Sequence, residues 1–266
     1  MHDAPPDFGT LNLHYEDIGP RDGPVVVFAH ALGANLRLWD GVVAQLPDSL
    51  RVIRMDMRGH GVSPCPDGPY YMGDLVADAA RLLDRLNVRD CVFVGLSIGG
   101  MIAQGLAAER LDLVRAMVLS NTAVKIGTPA TWANRMEAIR TGGIEAVVTP
   151  NMERWFSRAT HRDHPGMVAA AADRLRDTPV EGYLGCCAAI AETDLYENTA
   201  RLTLPTLVTA GSEDGSTPAD MVRETADLIA GARFELLRGT GHMSPLEKPA
   251  DYGILLTGFL KEIGHV

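Results

Sequence analysis

The sequence predicts an α/β architecture, a mostly parallel central sheet with helices on both faces and a helical cap inserted into it. Three observations predict it. Short apolar runs alternate with amphipathic stretches through the first half of the chain. That rhythm stops near Asn121 and returns near Pro205. A buried-looking run at residues 91–94 leads into a glycine-flanked serine and then into a helical stretch. Strand–helix–strand alternation of this kind is the pattern of parallel sheets joined by right-handed crossovers.

Residues 11–15 alternate with period two, which fits a half-exposed strand. Residues 24–29, Pro-Val-Val-Val-Phe-Ala, are continuously apolar, which fits a strand buried on both faces. Residues 51–55 and 91–94 read as further strands, followed by 116–119. Leu75, Val76, Ala79, Leu82, Leu83 and Leu86 fall on one helical face, and residues 101–110 read as the next helix. From residue 121 to 204 no strong strand signal occurs. Its helical pieces are interrupted at Gly127, Gly142-Gly143, Pro150, Pro165-Gly166 and Pro179. Strand signals resume at 205–210 and 233–237, and a closing helix is expected over 249–263. Both flanks of the middle stretch belong to one sheet. Residues 1–120 and 205–266 are therefore expected to form the core, and 121–204 the inserted cap.

Bulk properties narrow the function. A chain of 266 residues hides roughly 70–75% of its unfolded surface, so an ordinary apolar core suffices. The net charge is −10, with 24 Lys+Arg against 34 Asp+Glu and no basic run. That disfavours nucleic acid and anionic membranes as partners. Residues 1–10 carry two acids, two prolines and no apolar run, unlike a secretory signal. No apolar stretch is long enough to span a bilayer. Cys65, Cys91, Cys186 and Cys187 show neither a CxxC nor a His/Cys metal spacing, so no metal is expected. The adjacent Cys186 and Cys187 fit simple packing better than a strained vicinal disulfide. These features point to a cytoplasmic protein acting on a small molecule.

The most specific feature is Gly95-Leu96-Ser97-Ile98-Gly99-Gly100, a G-x-S-x-G between a strand and a helix. The spacing has a physical reason. A serine on so sharp a turn sits in strained backbone, and side chains at the flanking positions would strike neighbouring main chain. Gly95 and Gly99 remove them, and Ser97 is lifted to the positive end of the following helix. A hydroxyl is a poor nucleophile without a base. In strand–turn–helix sites of this kind the partners follow in the order serine, acid, histidine. Of eight histidines, His242 in Gly239-Thr240-Gly241-His242-Met243 lies between the last strand and the last helix, at the carboxyl end of the sheet. The acid should follow an earlier strand. Asp214 is preferred and its neighbour Glu213 is the rival. The end of the strand before the cap offers only Ser120 and Asn121, with no carboxylate.

His30-Ala31-Leu32-Gly33 follows the buried valine strand. Its loop is placed to give one backbone N–H to an oxyanion and the residue after Ser97 the other, so Leu32 and Ile98 are the expected donors. His30 is expected to brace that loop. Asp56-Met57-Arg58-Gly59-His60-Gly61 is expected to form a tight turn in which Asp56 and His60 satisfy backbone groups. No glycine cluster matches a dinucleotide or phosphate-loop pattern, so no cofactor is implied.

These residues together resemble the α/β-hydrolase superfamily. Within it the chain is similar to the 3-oxoadipate enol-lactonases of bacterial aromatic catabolism. His30-Ala31-Leu32-Gly33 with Trp39-Asp40, the Asp56–Gly61 turn and the Ser97 motif are superfamily-wide. More particular are Gly182-Tyr183-Leu184-Gly185-Cys186-Cys187-Ala188-Ala189-Ile190 and Ala210-Gly211-Ser212-Glu213-Asp214-Gly215-Ser216-Thr217-Pro218. One departure stands after His242. The family often continues with a leucine and a Pro-Cys pair, whereas this chain has Met243-Ser244-Pro245-Leu246. The resemblance implies a five-membered enol-lactone substrate bearing an acetate arm, attacked by Ser97 with His242 as base. It implies a cation under the cap for the free carboxylate. Arg135 is the expected anchor, with Arg154 and Arg158 as rivals, and Trp132 is a candidate to pack on the ring. Other reactions of the superfamily stay open: carboxylester hydrolysis, C–C bond hydrolysis and cofactor-free haloperoxidation. So does a non-enzymatic ligand receptor. Dehalogenases and epoxide hydrolases are disfavoured, because they carry an aspartate where Ser97 stands.

Overall fold

The computed structural model describes residues 11–266. Residues 1–10, in which no secretory signal is read and which include His2, lie outside the described residues. The described residues form a seven-stranded sheet in the order β1-β3-β2-β4-β5-β6-β7. The strands are β1 (Tyr15–Ile18), β2 (Val25–Ala29), β3 (Arg51–Met55), β4 (Cys91–Leu96), β5 (Val114–Ser120), β6 (Thr206–Gly211) and β7 (Arg233–Leu237). β1 pairs antiparallel with β3, and the remaining pairs are parallel. β4 is buried along its whole length and β2 from Val26 onward, as their unbroken apolar runs require. Helices Met72–Arg85 and Ile98–Glu109 connect the central strands.

The strand order decides where a site can sit. From β2 the chain steps outward to β3, then returns across β2 to β4 and proceeds the other way. The loops after β2 and β4 therefore diverge at the carboxyl edge and leave a crevice there. Ala29 is level with Gly95, Leu96 with Ser120, and Ser120 with Thr209. Four successive loops thus open at one height.

Between β5 and β6 the chain runs through helices Pro129–Gly142, Glu145–Trp155, Arg158–Asp163, Pro165–Arg176 and Val180–Ala191, then a single turn at Tyr196–Thr199. No strand interrupts them. None of the described helices is long and apolar enough to cross a membrane. The four cysteines are free thiols, and Cys91, Cys186 and Cys187 are buried.

Three local expectations shift. The ladder of β1 begins at Tyr15 because Tyr15 pairs with Met55, where β3 ends. Beyond it the ladder gives way to single contacts: the Asp56 N–H donates to the His14 carbonyl at 3.0 Å, and the His14 ring meets the Asp56 carboxylate at 2.8 Å. The helix expected from residue 101 starts at Ile98, so Gly99 and Gly100 lie inside it. Pro150 sits within helix Glu145–Trp155 rather than ending it, held there by the burial of Val147, Val148, Met152 and Trp155, since tertiary packing overrides propensity.

Candidate active site

β4 delivers Ser97 onto a turn with φ 59° and ψ −119°, a conformation that costs a non-glycine residue on the order of 1–3 kcal/mol. The surrounding main chain holds it. Ser97 N–H donates to the Ser120 carbonyl at 3.0 Å, and the Ser97 carbonyl accepts from Gly100 N (2.9 Å), Met101 N (3.2 Å) and Thr122 Oγ1 (2.6 Å). A Cβ on Gly95 would overlap the Gly99 carbonyl, and one on Gly99 would stand 2.5 Å from the Ala29 oxygen. Both glycines are therefore required by contact with backbone.

The loop after β2 is braced by two buried imidazoles. His30 Nδ1–H donates to the Ala31 carbonyl at 2.8 Å and its Nε2 accepts from Met57 N at 3.0 Å. His60 Nε2 accepts from Gly33 N at 3.0 Å, and its Nδ1–H donates to the Arg58 carbonyl at 3.2 Å. Burial, then the neighbouring His30, hold His60 down to about 3, and burial lowers His30 as well. Both stay neutral, so neither ring has a nitrogen to spare for chemistry. Asp56 accepts from Leu36 N (2.7 Å) and Val62 N (3.0 Å), which makes it a turn residue. Leu32 is thereby fixed at the mouth of the crevice beside Ser97.

Asp214 and His242 meet across the ends of β6 and β7. His242 Nδ1 lies 2.9 Å from Asp214 Oδ2, and both side chains are buried. The same oxygen accepts from Thr217 Oγ1 (2.7 Å) and Asn121 Nδ2 (2.9 Å). Oδ1 accepts from Ser216 N (2.7 Å) and Thr217 N (3.0 Å). Burial alone would raise this carboxyl, but His242, Asn121 and the Thr217 amide together hold it below its ordinary value. An ionised carboxylate only accepts, so His242 Nδ1 carries the hydrogen and Nε2 is left as the acceptor. The neighbouring acid points elsewhere: Glu213 accepts from Arg158 N (3.1 Å) and Nε (3.4 Å) at the surface.

Ser97 and His242 line a cavity of about 130 Å³ with Leu32, Trp132, Arg135 and Tyr183. That space suits a small ring with a short arm rather than a long chain. Trp132 is pinned by Nε1–H to the Ile126 carbonyl at 2.6 Å. Arg135 Nη2 donates to Asn151 Oδ1 at 2.5 Å and to the Tyr183 hydroxyl. Its Nε is buried with no acceptor, and among the described residues it has no carboxylate partner. Of the rival cations, Arg154 lines the cavity from an exposed position. Arg158 does not reach the cavity, and its side chain is 94% exposed. Asn121, Thr217, Asn151 and Tyr183 were not singled out as site residues from sequence. Tyr183 and Thr217 stand within the two stretches most similar to the lactonases, and Asn121 is the polar residue at the end of β5.

The family profile of the alpha/beta hydrolase fold matches residues 24–249, most of the chain. The chain is an α/β-hydrolase. It is similar to 3-oxoadipate enol-lactonase 2 of Acinetobacter baylyi, 32% identical over 249 residues, which cover 94% of this chain and 93% of that protein. It is also similar to a non-heme chloroperoxidase of Streptomyces lividans, 30% identical over 246 residues, covering 87% and 89%. The solved structure of the enol-lactonase from Burkholderia xenovorans LB400 matches with a TM-score of 0.91 at 35% identity, over 95% of this chain and 99% of that one. A lactonase and a chloroperoxidase at comparable identity share the hydrolase scaffold. The scaffold alone therefore does not choose the reaction, and the cavity lining must.

Proposed function

We propose that this hydrolase opens a small carboxylate-bearing enol-lactone, 3-oxoadipate enol-lactone to 3-oxoadipate, through an acyl-enzyme on Ser97. The observation that carries the reading is Arg135: a guanidinium without a carboxylate partner in the cavity that Ser97 and His242 line. A cation in that state calls for a ligand anion. Similarity to enol-lactonases at 32–35% identity supports the same substrate class.

In this mechanism His242 Nε2 takes the Ser97 proton as Oγ attacks the ring carbonyl. Asp214 holds the imidazole in the right tautomer and stabilises the imidazolium. The Leu32 and Ile98 backbone N–H groups receive the developing oxyanion, each worth roughly 2.7–4 kcal/mol in comparable sites. The ring C–O bond breaks and the enol oxygen leaves with the proton from His242. The enol then ketonises, which drives the step forward. Water, deprotonated by His242, attacks the acyl-enzyme and frees the keto-diacid and Ser97. Arg135 anchors the acetate arm and the Trp132 indole covers the ring. Residues 1–120 and 205–266 carry the chemistry, and 121–204 select the substrate. The reaction needs no cofactor and takes place in the cytoplasm as a step of aromatic catabolism.

The substrate reading is tested by comparing the free-acid enol-lactone with its methyl ester in the wild type and in Arg135→Met. The wild type should open the free acid at least tenfold more efficiently, and the variant should lose that preference. Equal rates on both lactones, with faster turnover of a short p-nitrophenyl ester, would assign the site to general ester hydrolysis instead.

A further inference from the structure

Arg135, Asn151 and Tyr183 form a hydrogen-bonded set, with the buried Cys187 thiol against the guanidinium. A guanidinium only donates, so the Asn151 oxygen must face Arg135 Nη2 at 2.5 Å. Asn151 Nδ2 must then face the Tyr183 hydroxyl, which lies 3.2 Å away. Arg135 Nη2 donates to the same hydroxyl. The phenolic oxygen thus accepts from two donors, and its own hydrogen has no acceptor among the described residues. Burial pushes the Tyr183 phenol up, so the hydrogen stays on.

Tyr183 is held firmly enough for that hydrogen to have a direction. The residue is fully buried. Its helix rests backbone to backbone on the turn after β3, where a Cβ on Gly182 would stand 2.5 Å from Gly59 Cα. A Cβ on Gly33 would come within 3.0 Å of the Tyr183 ring, so the ring also abuts the loop that carries Leu32. Arg135, Asn151 and Tyr183 all line the cavity that holds Ser97 and His242. A donor without an acceptor beside a cation without an anion describes a place for one carboxylate.

We propose that Tyr183 donates its phenolic hydrogen to the substrate carboxylate, forming with Arg135 a two-sided anion clamp that sets the preference for anionic lactones. Asn151 fixes the clamp by occupying Arg135 Nη2 and the second acceptor position of the phenol. The inference rests on the enol-lactonase reading and names a specificity-determining residue for it. Because the clamp lies on the substrate arm rather than on the reacting carbonyl, its loss acts on KM and spares kcat.

The experiment compares wild type, Tyr183→Phe and Asn151→Ala on the free-acid enol-lactone and on its methyl ester. Tyr183→Phe keeps the ring and removes the donor. Its KM for the free acid should rise about tenfold or more, with kcat within twofold and a clearly smaller change in KM for the methyl ester, and thermal unfolding reports an intact fold. Asn151→Ala should change the free-acid KM much less, since the donor remains. If Tyr183→Phe keeps the wild-type preference for the free acid, the clamp is overturned while the lactonase reading stands. Equal losses in the two variants also overturn it, because the hydroxyl would then serve only to support Arg135. A wild type that opens neither lactone overturns the substrate reading and the clamp together, and that result is seen before any variant is made.

Discussion

Asn121 Nδ2 stands 2.9 Å from Asp214 Oδ2, the carboxylate oxygen that also meets His242. The end of β5 therefore supplies an amide donor to the acid carried by the end of β6. Asn121 is fully buried, and its own oxygen accepts from Ser244 Oγ at 2.8 Å. One side chain links the acid to the segment that follows His242.

Asn121→Asp keeps the shape and replaces that donor with a second carboxyl. Two carboxylates at this distance cannot both ionise easily, so the pair retains a proton to higher pH. The acid limb of the kcat–pH profile should move upward, and kcat near neutrality should fall at least tenfold. An unmoved limb would mean that Asn121 only fills space.

Asp214 and Glu213 are adjacent in sequence but differ in what they touch. Asp214→Asn should lower kcat by roughly 10³–10⁴, because an amide favours the wrong histidine tautomer. Glu213→Gln should change kcat less than threefold, since Glu213 meets only the exposed Arg158. Steady-state kinetics of the two variants side by side decide the assignment, and the reverse order would move the acid to Glu213.

Ser97 sits at a positive φ that strains its backbone. Ser97→Gly relieves the positive φ, whereas Ser97→Ala retains it. Strain of about 1–3 kcal/mol, less the roughly 0.5–1 kcal/mol entropic penalty of glycine, should leave the glycine variant more stable than the alanine variant by up to about 2.5 kcal/mol. Urea unfolding of the two variants measures the difference. Equal midpoints would show that the turn is unstrained.

The two buried imidazoles make stability depend on acidity. In the unfolded chain His30 and His60 take up protons near 6.5, but in the folded state burial lowers both, His60 to about 3. Their contribution is complete above about 6.5 and is lost as the pH falls, for His60 down to about 3. His60 alone weakens folding by about tenfold per pH unit within that window, and His30 acts in the same sense. The buried His265 is lowered too and acts in the same sense. Carboxylates such as Asp214 and Asp17, held below 3.8, add their loss only under more acidic conditions. The urea midpoint should therefore drop steeply between pH 6.5 and 4, and a flat profile there would contradict the neutral, backbone-bonded state of both rings.

What sequence could reveal here follows the range of each interaction. The Ser97 turn was legible because its glycines stand two residues away on either side of the serine in a recognisable spacing, although only Gly95 answers to local backbone and Gly99 answers to Ala29 of β2. β2 and β4 were legible from apolar runs that burial on both faces demands. His242 and Asp214 were reached through chain order and the need to follow a strand end. Residues 11–15 misled because pairing depends on where the partner strand stops. Asn121 and Asp214 are 93 positions apart, and Arg135 and Tyr183 lie on different helices whose approach no periodicity encodes. Among residues that touch the cavity, Trp132, Arg135 and Arg154 were reached through the resemblance, whereas Asn151 and Tyr183, placed by helix packing, were not singled out.

The central claim is tested most directly by following the opening of 3-oxoadipate enol-lactone by the wild type beside Ser97→Ala, with thermal unfolding confirming that both are folded. The expected result is efficient ring opening by the wild type and a loss of at least 10³-fold in the variant. A folded wild type that leaves this lactone intact, or a Ser97→Ala variant that opens it at the wild-type rate, would contradict the account.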